Sequence, residues 1–213
     1  MRLVLASASP ARLSVLRAAG VEPVVLVSGV DEDAVAAALT DPGPEELVAA
    51  LAEAKARAVL SRVDLPDAVV VGCDSMLLFD GAVVGKPGTA EVARKRWAAM
   101  AGGTGVLLTG HAVLRPDGSA VRGASGTERT TVRFGQPTEA ELEAYLASGE
   151  PLAVAGGFTL DLLGGWFVDG VDGVPSSVIG ISLPLTRRLL AEVGVSVVDL
   201  WGPATGTSPA PAG

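Results

Sequence analysis

The stretch VVVGCDSMLLFDGAVVGKP, residues 69–87, decides how the rest of the chain is read. Its apolar opening, with Ala68 before it, has the length and β-branched content of a buried strand. The strand runs into Cys73-Asp74-Ser75, which sets a carboxylate at the margin of a sheet. Asp80-Gly81 then separates MLLF from AVVG. That dipeptide favours a tight hairpin, because both of its positions accept positive φ. A hairpin there returns the chain and brings Lys86 back toward Asp74. Asp74 is either a turn aspartate or a site acid. Lys86 is either an exposed hairpin lysine or a cation aimed at the site. A phosphate-binding P-loop is excluded: the glycines have the wrong spacing, and Pro87 stands where Ser or Thr must follow the lysine.

Working outward, residues 2–6 read as a short strand, and LASASPARLSVLRAAG (5–20) turns it into a helix. Ser9 is an N-cap, Pro10 suits the first helical position and Gly20 is a stop. Four free N–H groups at that helix start, the Ser7 and Ser9 hydroxyls and the Arg12 guanidinium together suit a phosphate. An ordinary capped helix is the alternative. Residues 22–27 read as a strand, followed by the acidic patch Asp31-Glu32-Asp33. Pro44 precedes a helix over 45–61 with Leu47, Leu51, Ala54 and Ala58 on one face. Lys55 lies either on its wet face or in a site, and Glu32 is either solvated or functional. Downstream, the pattern predicts a helix over 89–101, then strands 104–114 and 119–134 joined at Pro116-Asp117-Gly118. A helix over 138–148 follows, boxed by Thr138 and Glu141, then short strands and turns over 155–175. A last helix runs from Pro184 to about Val193, and a Pro/Ala/Gly-rich tail, 203–213, reads as disordered. Strands and helices mix without strict alternation. The fold class is therefore α/β in the mixed α+β sense: a mixed sheet with flanking helices, two lobes and a cleft, with residues 1–202 as one domain.

Composition narrows the function. Aromatics are 4% of the 213 residues while 49% are hydrophobic, so the core must be mostly Val, Leu and Ala. With 16 basic and 24 acidic side chains the net charge is −8, which argues against a nucleic-acid surface but allows a local cationic seat for a small anion. Cys73 is the single cysteine, so no intrachain disulfide forms, and with His111 as the single histidine a Cys/His zinc cluster lacks ligands. Cys73 in its apolar strand reads as buried and inert, and His111 as packed. Met1-Arg2-Leu3 passes directly into a strand pattern, and no apolar run is long enough to span a membrane. The expectation is a soluble, cytoplasmic protein with no membrane partner.

The motifs occur in an order that resembles the Maf family of nucleoside triphosphate pyrophosphatases, once described as septum-formation inhibitors. LASASPARLSVLRAAG is similar to the family's opening motif, VDED to its acidic element and AEAKA to its helical lysine. GCDSMLLFDGAVVGKP matches its central aspartate and Gly-Lys-Pro, LTGHAVL its next strand, and AGGFTLDLLGGWFVDGVDGVPSSVIGISLPL its glycine-rich signature. The Ala/Val/Gly-rich composition looks actinobacterial. The resemblance implies a long bent mixed sheet like that of the inosine-triphosphate pyrophosphatases, with a cleft between two lobes. It implies hydrolysis of NTPs or dNTPs, modified ones included, between the α and β phosphates, with a divalent cation (Mg2+, Mn2+ or Co2+), and a homodimer. Asp74 then matches the catalytic acid/base aspartate. Ser7, Arg12, Glu32, Lys55 and Lys86 match other polar site positions, with Ser9 beside them. Asp74 and Glu32 are the candidates to hold the metal, and Asp74 is a base, a metal ligand or both. A regulator of cell division that binds nucleotides without turnover is the alternative. The chain departs from the family's pyrimidine branch at Ala11, Ser75 and Asp161, where that branch has arginine, threonine and glutamine. An aspartate only accepts hydrogen bonds and suits the two adjacent donors of a guanine edge. Asp161 therefore predicts guanine-type triphosphates, 7-methylated ones included, over UTP and dTTP.

Overall fold

A computed structural model describes residues 1–201 except residue 66; the predicted tail, 203–213, lies outside the described residues. Among the described residues, seven strands form one mixed sheet: β1 (Arg2–Leu5), β2 (Val24–Val25), β3 (Ala68–Phe79), β4 (Ala82–Val84), β5 (Thr104–Asp117), β6 (Ala120–Phe134) and β7 (Val168–Asp172). Their order is β2-β1-β3-β5-β6-β7, with β4 on β3. β1 runs parallel to β2 and β3, and the remaining pairings are antiparallel. The helices are α1 (Pro10–Ala18), α2 (Glu32–Ala37), α3 (Pro44–Leu60), α4 (Ala90–Met100), α5 (Glu139–Ala147), α6 (Pro175–Ile179) and α7 (Leu183–Glu192). The mixed-sheet fold class expected from the sequence is the one observed.

Local chemistry explains most boundaries. Asp80 (φ 48°) and Gly81 (φ 74°) make the hairpin turn with positive φ at both positions. Thr138 and Glu141 form the capping box on α5, and Ser182 caps α7. Three readings shift. The strand expected over 22–27 keeps only Val24 and Val25. The acidic patch begins a short helix, α2, because the Asp31 side chain accepts from the Ala34 N–H at 3.0 Å and caps it. The buried stripe of α3 is Val48, Leu51, Ala52, Lys55, Ala56 and Val59, rotated from the expected one and shared with it only at Leu51. Lys55 is thus on the packed face, not the wet one.

The sheet carries different cores along its length. At the β1 end, one face packs on α1 and α7 through residues such as Leu5, Val71, Leu16 and Leu189. The other face packs on α3 through Val4, Val70, Ala52 and Ala56. Farther along β3, β5 and β6, a third core gathers Leu77, Leu107, Phe134, Trp97 and Tyr145. The few aromatics concentrate here, edge to face: Trp97 and Phe134 lie 5.8 Å apart and Phe134 and Phe158 5.0 Å. The expected Val/Leu/Ala core describes only the first half.

One topological feature positions the site. Along the same edge of β3, β1 pairs with Ala68–Val71 and β4 with Leu77–Phe79. Between these ladders, Cys73 to Met76 have no strand partner on that edge among the described residues. The chain leaves β1 toward this gap at Ser7, and leaves β4 toward it from the opposite direction at Lys86.

Candidate active site

Asp74 and Ser75 lie in the gap, on opposite faces of β3. Asp74 shares its face with Gly72, and across β5 its register partner is Gly110. These two glycines let α3 lie directly on the sheet. A Cβ at Gly72 would stand 2.2 Å from the Ala52 carbonyl oxygen, and one at Gly110 2.1 Å from that of Val48. The close approach brings Lys55 Nζ to 2.5 Å from Asp74 Oδ1. The same ammonium meets Glu32 Oε1, at the start of α2, at 2.6 Å. Lys55 is 8% exposed and Asp74 6%, while Glu32 is half open to solvent. Asp74 Oδ2 is buried and has no hydrogen-bond partner among the described residues.

The two carboxylates titrate in opposite directions. Burial pushes Asp74 up, against the opposing pull of Lys55 and Arg12. Partial burial acts upward on Glu32 too, but the hydrogen bond and charge of Lys55, with Lys86 and Arg12 behind it, bring it net below the usual carboxylate range. Carboxyls driven apart in this way are the arrangement in which one can exchange protons while its neighbour stays ionised.

On the other face, Arg12 is largely committed to the protein. Nε donates to the Gly180 carbonyl at 2.9 Å, Nη1 to Ser7 Oγ at 3.0 Å and to the Cys73 carbonyl at 2.8 Å, and Nη2 to Ser75 Oγ at 3.2 Å. Arg12 therefore satisfies a backbone acceptor at the interrupted edge of β3, and one of its five N–H groups is left without an acceptor among the described residues. Ser75 Oγ lies 3.1 Å from Thr109 Oγ1, whose own proton goes to the Ser177 carbonyl at 3.2 Å. Ser75 therefore donates to Thr109, and the row from Arg12 to α6 runs in one direction. Ser7 Oγ accepts from Arg12 and from the Ser9 N–H at 3.1 Å, and its proton has no acceptor among the described residues.

The helix start is narrower than expected. Ser9 caps α1 as predicted, but Pro10 has no N–H and the Arg12 N–H goes to Ser9 Oγ at 3.4 Å. The Ser9 N–H goes to Ser7 Oγ at 3.1 Å. Of the four N–H groups expected there, that of Ala11 is left. Lys86 is exposed and near enough to Glu32 for its charge to be felt there. Asp161 is exposed, and no hydrogen bond or ion pair among the described residues joins it to Asp74, Glu32 or Lys55. His111 is buried and neutral: Nδ1 bonds the Thr109 carbonyl at 2.9 Å and Nε2 accepts from the Ser182 N–H at 2.8 Å. Cys73 is buried and its thiol is pushed up to about 11 by desolvation. Thr109 was not singled out in the sequence; its signal is a hydroxyl next to Gly110 in an otherwise apolar strand.

Among the described residues, no three His, Cys, Asp or Glu side chains are grouped to hold a metal alone. Asp74 and Glu32 nevertheless fit a hard divalent cation that takes the rest of its shell from phosphates and water, as Mg2+ does. Each carboxylate keeps lone pairs that its ion pair with Lys55 does not use. No helix of the described residues is long and apolar enough to cross a membrane.

Comparison with known proteins shows which family the chain resembles. The sequence pattern of the family described as "Maf-like protein" matches residues 2–193. The chain is 70% identical over 207 residues to the "Nucleoside triphosphate pyrophosphatase" of Saccharopolyspora erythraea, covering 95% of this chain and 98% of the relative. A protein of the same description from Rhodococcus jostii is 66% identical, covering 93% and 95%. One from Mycolicibacterium gilvum is 57% identical, covering 94% and 98%.

Proposed function

The chain belongs to the Maf-like protein family and is a nucleoside triphosphate pyrophosphatase, and we propose that Asp74 is the base of its reaction. The observation that carries this is the buried, unpartnered Oδ2 of a carboxyl whose other oxygen is fixed by Lys55. In this reading water attacks the α-phosphorus and Asp74 Oδ2 takes its proton. The bond to the α,β-bridging oxygen breaks, and pyrophosphate leaves with that oxygen. Burial raises the basicity of Asp74 toward the working pH. Negative charge growing on the leaving group needs fixed cationic partners. Lys86, the remaining N–H of Arg12 and the third proton of Lys55 supply them, and the Ser7 hydroxyl, the Ala11 N–H and the Ser9 hydroxyl add donors. Ser75 holds Arg12 in place rather than reaching out, because its proton goes to Thr109.

Asp74 and Glu32 hold the divalent cation, Mg2+, Mn2+ or Co2+; when bound, it supplies charge neutralisation on the phosphates. Asp161 reads the base and favours guanine-type triphosphates. The substrate is a free nucleotide in the cytoplasm, with no nucleic acid or membrane as partner; residues 1–202 act as one domain and the assembly is a homodimer. A nucleotide panel with each metal, assayed separately for pyrophosphate and orthophosphate, tests the reading. Pyrophosphate is expected as the first product, and only with metal; orthophosphate first, or full activity in excess chelator, overturns it.

A further inference from the structure

The turn that carries Lys86 is held from outside the cluster. β4 ends at Val84, and the Gly85 carbonyl then accepts two hydrogen bonds. One comes from the Gly156 N–H at 3.1 Å and the other from Arg96 Nη1, on α4, at 2.5 Å. Beyond Lys86, the Gly88 N–H donates to the Leu152 carbonyl at 3.0 Å. Pro87 is buried against Gly157, where a Cβ would come within 3.0 Å of its ring. Trp97, next to Arg96, donates from Nε1 to the Gly157 carbonyl at 2.8 Å. The backbone is thus pinned on both sides of Lys86 while the lysine side chain itself is exposed. Arg96 is half-buried, so its guanidinium gives up water to make this bond, and a charged donor on a carbonyl is among the stronger hydrogen bonds.

We propose that Arg96 is a positioning residue for the reaction: by donating to the Gly85 carbonyl it fixes the turn from which Lys86 meets the triphosphate. The inference rests on Lys86 being a phosphate-binding group. A staple that merely joined α4 to the hairpin would lower stability without caring what stands at position 86. The test is a double-mutant cycle in kcat/KM for pyrophosphate release, with melting temperatures alongside. Arg96→Met should lower kcat/KM about tenfold, the scale of one charge-assisted hydrogen bond lost, and Arg96→Lys should recover part of it. In the Lys86→Met background the same Arg96→Met change should cost less than about twofold, because coupled residues are non-additive. Parent-level activity of Arg96→Met, or an equal loss in both backgrounds, overturns the proposal. A Lys86→Met variant as active as the parent removes its premise, and is distinct from an impaired Lys86→Met with a silent Arg96→Met. Where Arg96→Met does not fold, Arg96→Lys carries the same cycle with the same criteria.

Discussion

Asp74 and Glu32 share one ammonium and still titrate apart, because burial outweighs the shared charge at Asp74 and not at half-exposed Glu32. A base must be ionised to act, so the acid limb of kcat/KM should lie above the ordinary Asp value of 3.8. Lys55 opposes the burial; Lys55→Met should therefore move that limb to higher pH, and a pH–rate profile that stays put would disconnect Lys55 from the base. Asp74→Asn keeps the shape and removes the charge and the basicity. It should fold and lose turnover by roughly 10²-fold or more, the scale of a lost general base. Near-parent turnover would make Asp74 structural. The proposal for Asp161 belongs to the same scale but to another place. It is exposed, and the turn after it is held by Glu150, which accepts from the Leu163 and Gly164 N–H groups at 3.2 and 3.0 Å. Where a bound base shuts water away from Asp161, mispaired polar groups cost about 1–3 kcal/mol, or roughly 5- to 150-fold in discrimination. Asp161→Gln should narrow the preference for GTP and 7-methyl-GTP over UTP and dTTP, measured as kcat/KM. A parent that prefers UTP or dTTP would remove Asp161 from base selection.

At the scale of elements, the distance between Lys55 and Asp74 is set by how closely α3 lies on β3 and β5. Gly72 and Gly110 set that closeness, and neither is needed for its φ: both are chosen for lack of a side chain. Gly72→Ala would push a methyl into the Ala52 carbonyl and lift the helix. Overpacking of this kind costs about 1–3 kcal/mol, and a displacement near 1 Å can cost about 10²-fold in rate. Urea unfolding and kcat/KM should thus both fall; a variant that is destabilised yet fully active would mean the helix position is not what aims Lys55. The same contact explains what was legible in the sequence. Asp80-Gly81, Ser9-Pro10 and the Thr138/Glu141 box are local rules, and each appears where it was read. The phase of α3 was not legible, because six alanines between Ala49 and Ala58 give its faces no contrast. Its phase is decided by glycines on other elements. Helix α2 was missed for a related reason: it has no buried residue, and its cap, Asp31, was read with its neighbours as an acidic patch. The order of motifs located Asp74, Lys55 and Glu32, but nothing local announced that Arg12 would be consumed by four protein acceptors.

At the scale of the whole molecule, the reactive gap lies between different cores, and the polar residues on the neighbouring strand join it to the stability of the sheet. Opposite Cys73, Asp74 and Ser75 stand His111, Gly110 and Thr109. His111 is fixed as the Nδ1–H tautomer, since Nε2 accepts from Ser182 at the start of α7. Protonating Nε2 would set a proton against that N–H inside the core, so burial holds the imidazole down to about 4 from an ordinary 6.5. The sign follows. Below pH 6.5 the unfolded chain takes up a proton that the folded chain refuses, so stability falls as pH drops through the window and levels off near 4. A difference of that size is worth roughly 3 kcal/mol at most. Asp74, raised by burial, works in the opposite sense at the acid end of the window, because the folded state protonates it more readily. His111→Gln can still accept from Ser182 but does not titrate. Urea unfolding of parent and variant between pH 7 and 4.5 isolates the imidazole: the parent should lose stability relative to the variant as pH falls, by an amount approaching that figure. Parallel pH dependences would mean that His111 is protonated in the folded sheet. The packing that binds β5 to α7 would then not depend on a neutral ring.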